Sequence, residues 1–109
     1  MNQQTVNRWK SMRTPETRHV EAVLRKKFPS SDAYRYNSAS IRVRVVDSRF
    51  EGKSIERRDT MVEPLLAQLP QKTQADIINL LTLTPAEKDA SSRKHLLNIE
   101  FEDPSPSRL

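Results

Sequence analysis

Residues 40–50, Ser-Ile-Arg-Val-Arg-Val-Val-Asp-Ser-Arg-Phe, constrain the fold more than any other stretch of the chain. Successive side chains of a strand point to opposite sides, so the alternation puts Ile41, Val43 and Val45 on one face and Arg42 and Arg44 on the other. The segment therefore predicts a strand with one packed face and one cationic face. A length of 109 residues suits a single domain with one modest core around such a strand.

The flanking sequence supplies the rest of that domain. Residues 1–13 are polar and basic with Trp9 as the one large apolar anchor, and read as a flexible arm whose Trp9 either packs on the first helix or docks on a partner. Thr14-Pro15-Glu16 is a helix start: a hydroxyl cap, a Pro whose missing N–H costs nothing there, and an acid at the positive end. Val20, Val23, Leu24 and Phe28 follow at helical spacing, which predicts a helix over residues 15–27. Residues 33–36 form a second strand, joined to the arginine strand by a turn at Asn37-Ser38.

Gly52, the one glycine, marks a position of positive φ, and Ser54 is placed to cap a second helix with Met61, Val62, Leu65, Leu66 and Leu69 on its apolar face. Pro64 interrupts that pattern. It predicts either a kink near Thr60 or a short helix beginning there on a Thr60–Glu63 capping box, with an extended residue 53–57 segment as the weaker alternative.

Residues 77–83, Ile-Ile-Asn-Leu-Leu-Thr-Leu, are apolar on both strand faces and fit a central strand better than an edge. Thr84-Pro85-Ala86-Glu87 starts a short helix over residues 85–91. Residues 96–101 read as a fourth strand with Leu97, Ile99 and Phe101 on one face, or as an appended partner-binding segment, and residues 102–109 as a disordered tail. The expected architecture is α+β: one domain over residues 14–101, a three- to four-stranded sheet, and two or three helices on one face.

Four places in this order of elements resemble the BolA-like proteins, small domains with a class II KH-like fold. They are the first helix from Val20 to Phe28; Val43 to Val46 running into Asp47-Ser48-Arg49-Phe50-Glu51-Gly52-Lys53-Ser54; Arg58 with Met61-Val62 and Leu65-Leu66; and Leu83-Thr84-Pro85-Ala86-Glu87. The resemblance covers about two thirds of the chain, residues 18–88. It implies an α-β-β-α-β-α topology and a regulatory or adaptor role, either in contact with nucleic acid or as a partner of a monothiol glutaredoxin.

Family members that share a [2Fe–2S] cluster with a glutaredoxin use a His at the start of the last strand and a His or Cys in the first hairpin. Here those places hold Asp76 and Asn37-Ser38, and Asp59 stands where a second-helix His is usual. Carboxylate is a poor ligand for a cluster iron, so the resemblance does not extend to a cluster.

Charge bears on partners. Residues 1–58 hold 14 Lys/Arg against 6 Asp/Glu, and residues 59–109 hold 5 against 8, so a net +5 divides into a +8 half and a −3 half. Arg35, Arg42 and Arg44 on the hairpin, with Arg49, Lys53, Arg57 and Arg58 around the Gly52 loop, form a candidate phosphate-binding face. Its alternative is a solvated face that keeps the protein soluble. Without a Gly-x-x-Gly clamp, nucleic-acid binding through it would be weak, salt-dependent and tolerant of sequence.

The second candidate is a protein contact, with another protein or in a homodimer, through Gly52 and the C-terminal segment carrying Leu97, Ile99 and Phe101. No catalytic, metal or cofactor site is expected. The chain has no Cys, its histidines His19 and His95 stand apart as surface residues, and nothing in the sequence makes Asp59 and Asp76 converge. The N-terminus lacks the apolar core of a signal peptide and no apolar run approaches ~20 residues, which leads to the expectation of a cytoplasmic protein without membrane contact.

Overall fold

The structure, a computed structural model, describes residues 3–89 and 96–107. Its elements follow in the order η1 (Gln3–Met12, a 3-10 helix), α1 (Pro15–Arg25), β1 (Ser30–Asn37), β2 (Ser40–Val46), η2 (Ser48–Phe50, 3-10), α2 (Ile55–Leu66), α3 (Gln71–Asp76), β3 (Ile77–Leu83), α4 (Pro85–Asp89) and α5 (Leu96–Glu102). The fold is α+β. Its three-stranded sheet has the order β1-β2-β3, with β1 antiparallel and β3 parallel to β2.

Local chemistry accounts for the helix starts. Thr14 caps α1, its Oγ1 accepting from Thr17 N at 3.3 Å while Thr17 Oγ1 accepts from Thr14 N at 2.9 Å, a reciprocal box that uses two otherwise orphaned donors. Ser54 Oγ accepts from Arg57 N at 3.2 Å and starts α2 at Ile55, so residues 55–66 are one helix and the Thr60–Glu63 box does not form. Pro64 lies in the last turn, where it leaves the Thr60 carbonyl without its intrahelical donor and the helix ends two residues later at Leu66.

One face of the sheet carries the main core. Val20, Val23 and Leu24 of α1, Val62 of α2 and the connecting Phe28 and Phe50 pack on Ala33, Ile41, Val43 and Val45. The rings of Phe28 and Phe50 stack at 5.8 Å. Each fully buried aliphatic or aromatic side chain here is worth roughly 1.5–3 kcal/mol.

Two elements differ from expectation on the opposite face, which is covered rather than open. Trp9 of η1 and Phe101 of α5 enclose Tyr34 in a second cluster, with ring centroids 4.8–5.9 Å apart. Trp9 is only 4 % exposed, so the basic arm is anchored as a helix by its one large apolar residue, on the sheet rather than on α1. Residues 96–102 are a helix and not a fourth strand. Asn98, Phe101 and Glu102 reach the sheet at helical spacing, whereas strand alternation would have buried Leu97 and Ile99 with Phe101.

The tail differs too. Residues 103–107 lie against β1, where Tyr36 Oη donates to the Ser105 carbonyl at 2.7 Å and Asn37 Nδ2 to Ser107 Oγ at 3.1 Å. β3, expected in the centre, is an edge strand. Its apolar residues on both sides reflect helices above and below the sheet, Leu80 packing on the main core and Leu81 on the second cluster. Among the described residues no helix is long and apolar enough to cross a membrane.

Candidate interaction surface

The strand arginines are internal. Arg44 is 2 % exposed, and its guanidinium donates to Asn98 Oδ1 and Glu102 Oε2, both at 2.7 Å, and to Asp32 Oδ2 at 3.3 Å, while lying 4.6 Å from the centre of the Phe101 ring. Arg42 lies 3.7 Å over the Tyr36 ring and donates to Tyr34 Oη and Glu100 Oε2, each at 3.0 Å. The acids that close this face all come from β1 and α5.

The electrostatics fit that closure. Burial alone would raise the Glu100 carboxyl, but hydrogen bonds from the Ser105 N–H and hydroxyl, together with Arg42, outweigh it and hold the group below the usual carboxylate range. Burial pushes the Tyr34 phenol up, only partly offset by Arg42. The four side chains Tyr34, Tyr36, Arg42 and Arg44 thus form a polar-aromatic layer beneath α5 and not an open cationic surface.

Arg35 does not share that layer. Its register partner is Ile41, which places it on the main-core face, where it pairs with Asp76 at 3.1 Å and Glu16 at 3.4 Å. Lys72 and then Arg35 hold the Asp76 carboxyl low. Asp59 stands elsewhere on α2. Burial first, then the nearby Glu63, pushes its carboxyl up, and its buried Oδ1 has no hydrogen-bond partner. Among the described residues no cluster of three or more His, Cys, Asp or Glu could hold a metal ion. His19 is exposed, and His95 lies outside the described residues.

The Gly52 loop is built by capping. Asp47 accepts from Arg49 N at 2.9 Å and Nε at 2.8 Å, which lowers the Asp47 carboxyl, and Gly52 turns the chain at φ +73°. Arg58 is buried and spoken for: it donates to the carbonyls of Lys53 and Thr82 and grips Glu87 at 2.7 and 3.2 Å. Arg49 and Arg57 are exposed and Lys53 half-buried beside the loop, while Arg35 and Arg42, also half-buried, are held in ion pairs with Glu16, Asp76 and Glu100, so the seven cations expected to form one face do not share one.

The exposed apolar residues gather elsewhere. Leu97 is 67 % and Ile78 57 % exposed, and Ile55 and Leu96 are also open. Three grooves flank β3: one between β2, β3 and α5 reaching Leu97, one from Lys53 and Ile55 past residues 81–83 to Leu96 and Leu97, and one along Asp59, Glu63 and Leu66 to residues 77–80. Together they make an apolar border on both sides of the open edge of β3.

Of the expected partner residues, Leu97 belongs to this border and Ile99 is exposed on the same helix. Phe101 is buried in the second cluster, and Gly52 lies in the loop before α2, next to Lys53 of the border. Of the other exposed apolar residues, Ile78 lies in the apolar run 77–83 that reads as core, whereas Ile55 stands alone among polar neighbours and Leu96 is off the Leu97, Ile99 and Phe101 face, so neither belonged to an expected packing pattern. Compared with family models, curated proteins and solved structures, the chain matches none.

Proposed function

We propose that this protein is a non-catalytic interaction module that contacts a protein partner through the apolar border of β3. The observation that carries the reading is the contrast between its two candidate surfaces. Arg42 and Arg44 are engaged by Glu100, Glu102, Asn98 and Asp32, whereas Ile55, Ile78, Leu96 and Leu97 are left in water around an unpaired strand edge. Isolated exposed apolar residues are ordinary, but Ile55, Leu96 and Leu97 line one groove beside the open edge and Ile78 stands further along it, an arrangement that suits a strand-adding partner.

Contact with nucleic acid through Arg42 and Arg44 would require α5 to leave the sheet. The mixed sheet and the order α1-β1-β2-α2-α3-β3-α4, which departs from the expected α-β-β-α-β-α order by the added α3, are compatible with the BolA-like resemblance and with an adaptor role of the kind proposed for that family without its cluster ligands.

A photo-reactive side chain at Leu97, with Arg18 on the exposed side of α1 as the control position, tests the reading in cells that make the chain. A protein adduct from position 97, stable to nuclease and absent from position 18, is expected. Equal labelling from both positions, or a nuclease-sensitive adduct, overturns it.

A further inference from the structure

We infer that the partner at this border is a second copy of the chain, paired antiparallel through β3 about a two-fold axis near Leu80; the inference rests on the border being a protein contact. The direction of the backbone groups comes first. Asp47 N donates to the Leu83 carbonyl at 2.9 Å across the end of β2, so Leu83 and, two residues back, Leu81 face β2. Leu80 and Thr82 then face outward. The far side of the sheet gives the same parity: Ala33 N points away from β2, so its partner Val43 faces β3 and bonds the residues on either side of Leu80.

Arg58 takes one outward carbonyl, that of Thr82. The outward N–H and C=O of Leu80 have no partner among the described residues.

The two edges of the sheet are treated differently. On β1, Glu21 Oε2 accepts from Ala33 N at 3.0 Å and Arg25 Nε donates to the Ser31 carbonyl at 2.9 Å, so side chains from α1 occupy the ladder positions a new strand would need. On β3, Ile77–Leu83 contains no charged residue, no Pro and no Gly, and its one irregularity falls at Ile78. Natural edge strands usually carry such protection. The β3 edge is covered only towards its ends, by Arg58 on the Thr82 carbonyl and by the irregularity at Ile78, which leaves Leu80 open; pairing β3 with β3 there gives an assembly that stops at two, because it leaves β1 at both ends of a six-stranded sheet.

The flanks are self-complementary under the same two-fold. α2 runs alongside β3 in the opposite direction, with Arg58 at Thr82 and with Asp59, Glu63 and Leu66 beside residues 77–80. Antiparallel pairing about Leu80 sets residue 82 of one copy opposite residue 78 of the other. Lys53 and Ile55, at the Thr82 end, then meet Glu63 and Ile78 of the second copy, a cation with an acid and an exposed apolar side chain with another.

Sedimentation equilibrium of the full chain tests this. The wild type is expected to be a reversible dimer, and Ile78→Lys, which puts a charge at an exposed position of the edge, a monomer with an unchanged far-UV circular dichroism spectrum. Lys53→Glu and Glu63→Lys should each weaken association by roughly 10-fold, since two symmetry-related pairs are lost per dimer, and the double variant should recover it. A wild type that stays monomeric at its highest soluble concentration, or a dimer indifferent to all three changes, overturns the inference. A monomer that still gives a foreign-protein adduct from position 97 removes the second copy and leaves the interaction module; a monomer with no adduct there removes both.

Discussion

Replacing Arg44 by Ala separates an internal arginine from a surface one. The side chain is 3 % exposed and bridges three elements, meeting Asp32 on β1 and Asn98 and Glu102 on α5. Removing one member of a fully buried ion pair costs about 3–5 kcal/mol, because the remaining charge is stranded. Here that figure must be reduced. Glu102 is 43 % exposed and regains water, and Asp32 keeps Arg13 and Arg25 as partners, at 3.5 and 3.3 Å.

The unpaired Asn98 and the lost stacking of the guanidinium on Phe101 act in the other direction. A net loss of about 2–3 kcal/mol is expected, in a domain whose whole stability is on the order of 5–10 kcal/mol. Urea unfolding at fixed pH measures it as a lower midpoint with an unchanged slope. Arg57→Ala, on the exposed side of α2, should stay within about 0.5 kcal/mol of wild type. An Arg44→Ala variant as stable as Arg57→Ala would refute the closure of the strand face.

Three further perturbations follow from the same contacts. Trp9→Ala should destabilise the protein by about 3 kcal/mol, read by urea unfolding, because the indole sits between Tyr34, Phe101 and the Arg13 guanidinium; a loss near zero would mean that the arm is not anchored. Gly52→Ala should cost about 1 kcal/mol from the left-handed backbone alone, since a Cβ there meets nothing within 4 Å, and an unchanged thermal midpoint would contradict that φ. Glu100 and Asp76 have carboxyls held below their unfolded values of about 4.3 and 3.9, so their contribution is whole above about pH 5 and is lost as the pH falls through the folded values. Urea midpoints should therefore fall below that pH, and Glu100→Gln should flatten the fall; a wild-type midpoint independent of acid would count against both pairs.

The hairpin and the helix starts were legible because their signals are local. Alternation at residues 41–45, the Thr14-Pro15 start and the Ser54 cap each depend on neighbours within a few residues. The second layer was not. Whether Arg42 and Arg44 face water depends on residues 54 to 58 positions away, and a seven-residue segment such as residues 96–102 is too short for period to distinguish helix from strand. The acids Glu100 and Glu102 were the available signal: they lie in the acidic half, and the basic half carries their partners. β3 was misplaced for a related reason, since apolar residues on both faces register covering layers and say nothing about which edge is paired.

Amide hydrogen exchange followed at rising protein concentration tests the central claim most directly. Slow exchange over residues 99–102 at every concentration, together with protection of the outward Leu80 amide that grows with concentration, is the predicted result. Fast exchange over residues 99–102 would open the arginine face to solvent, and a Leu80 amide indifferent to concentration would leave the β3 edge without its second copy.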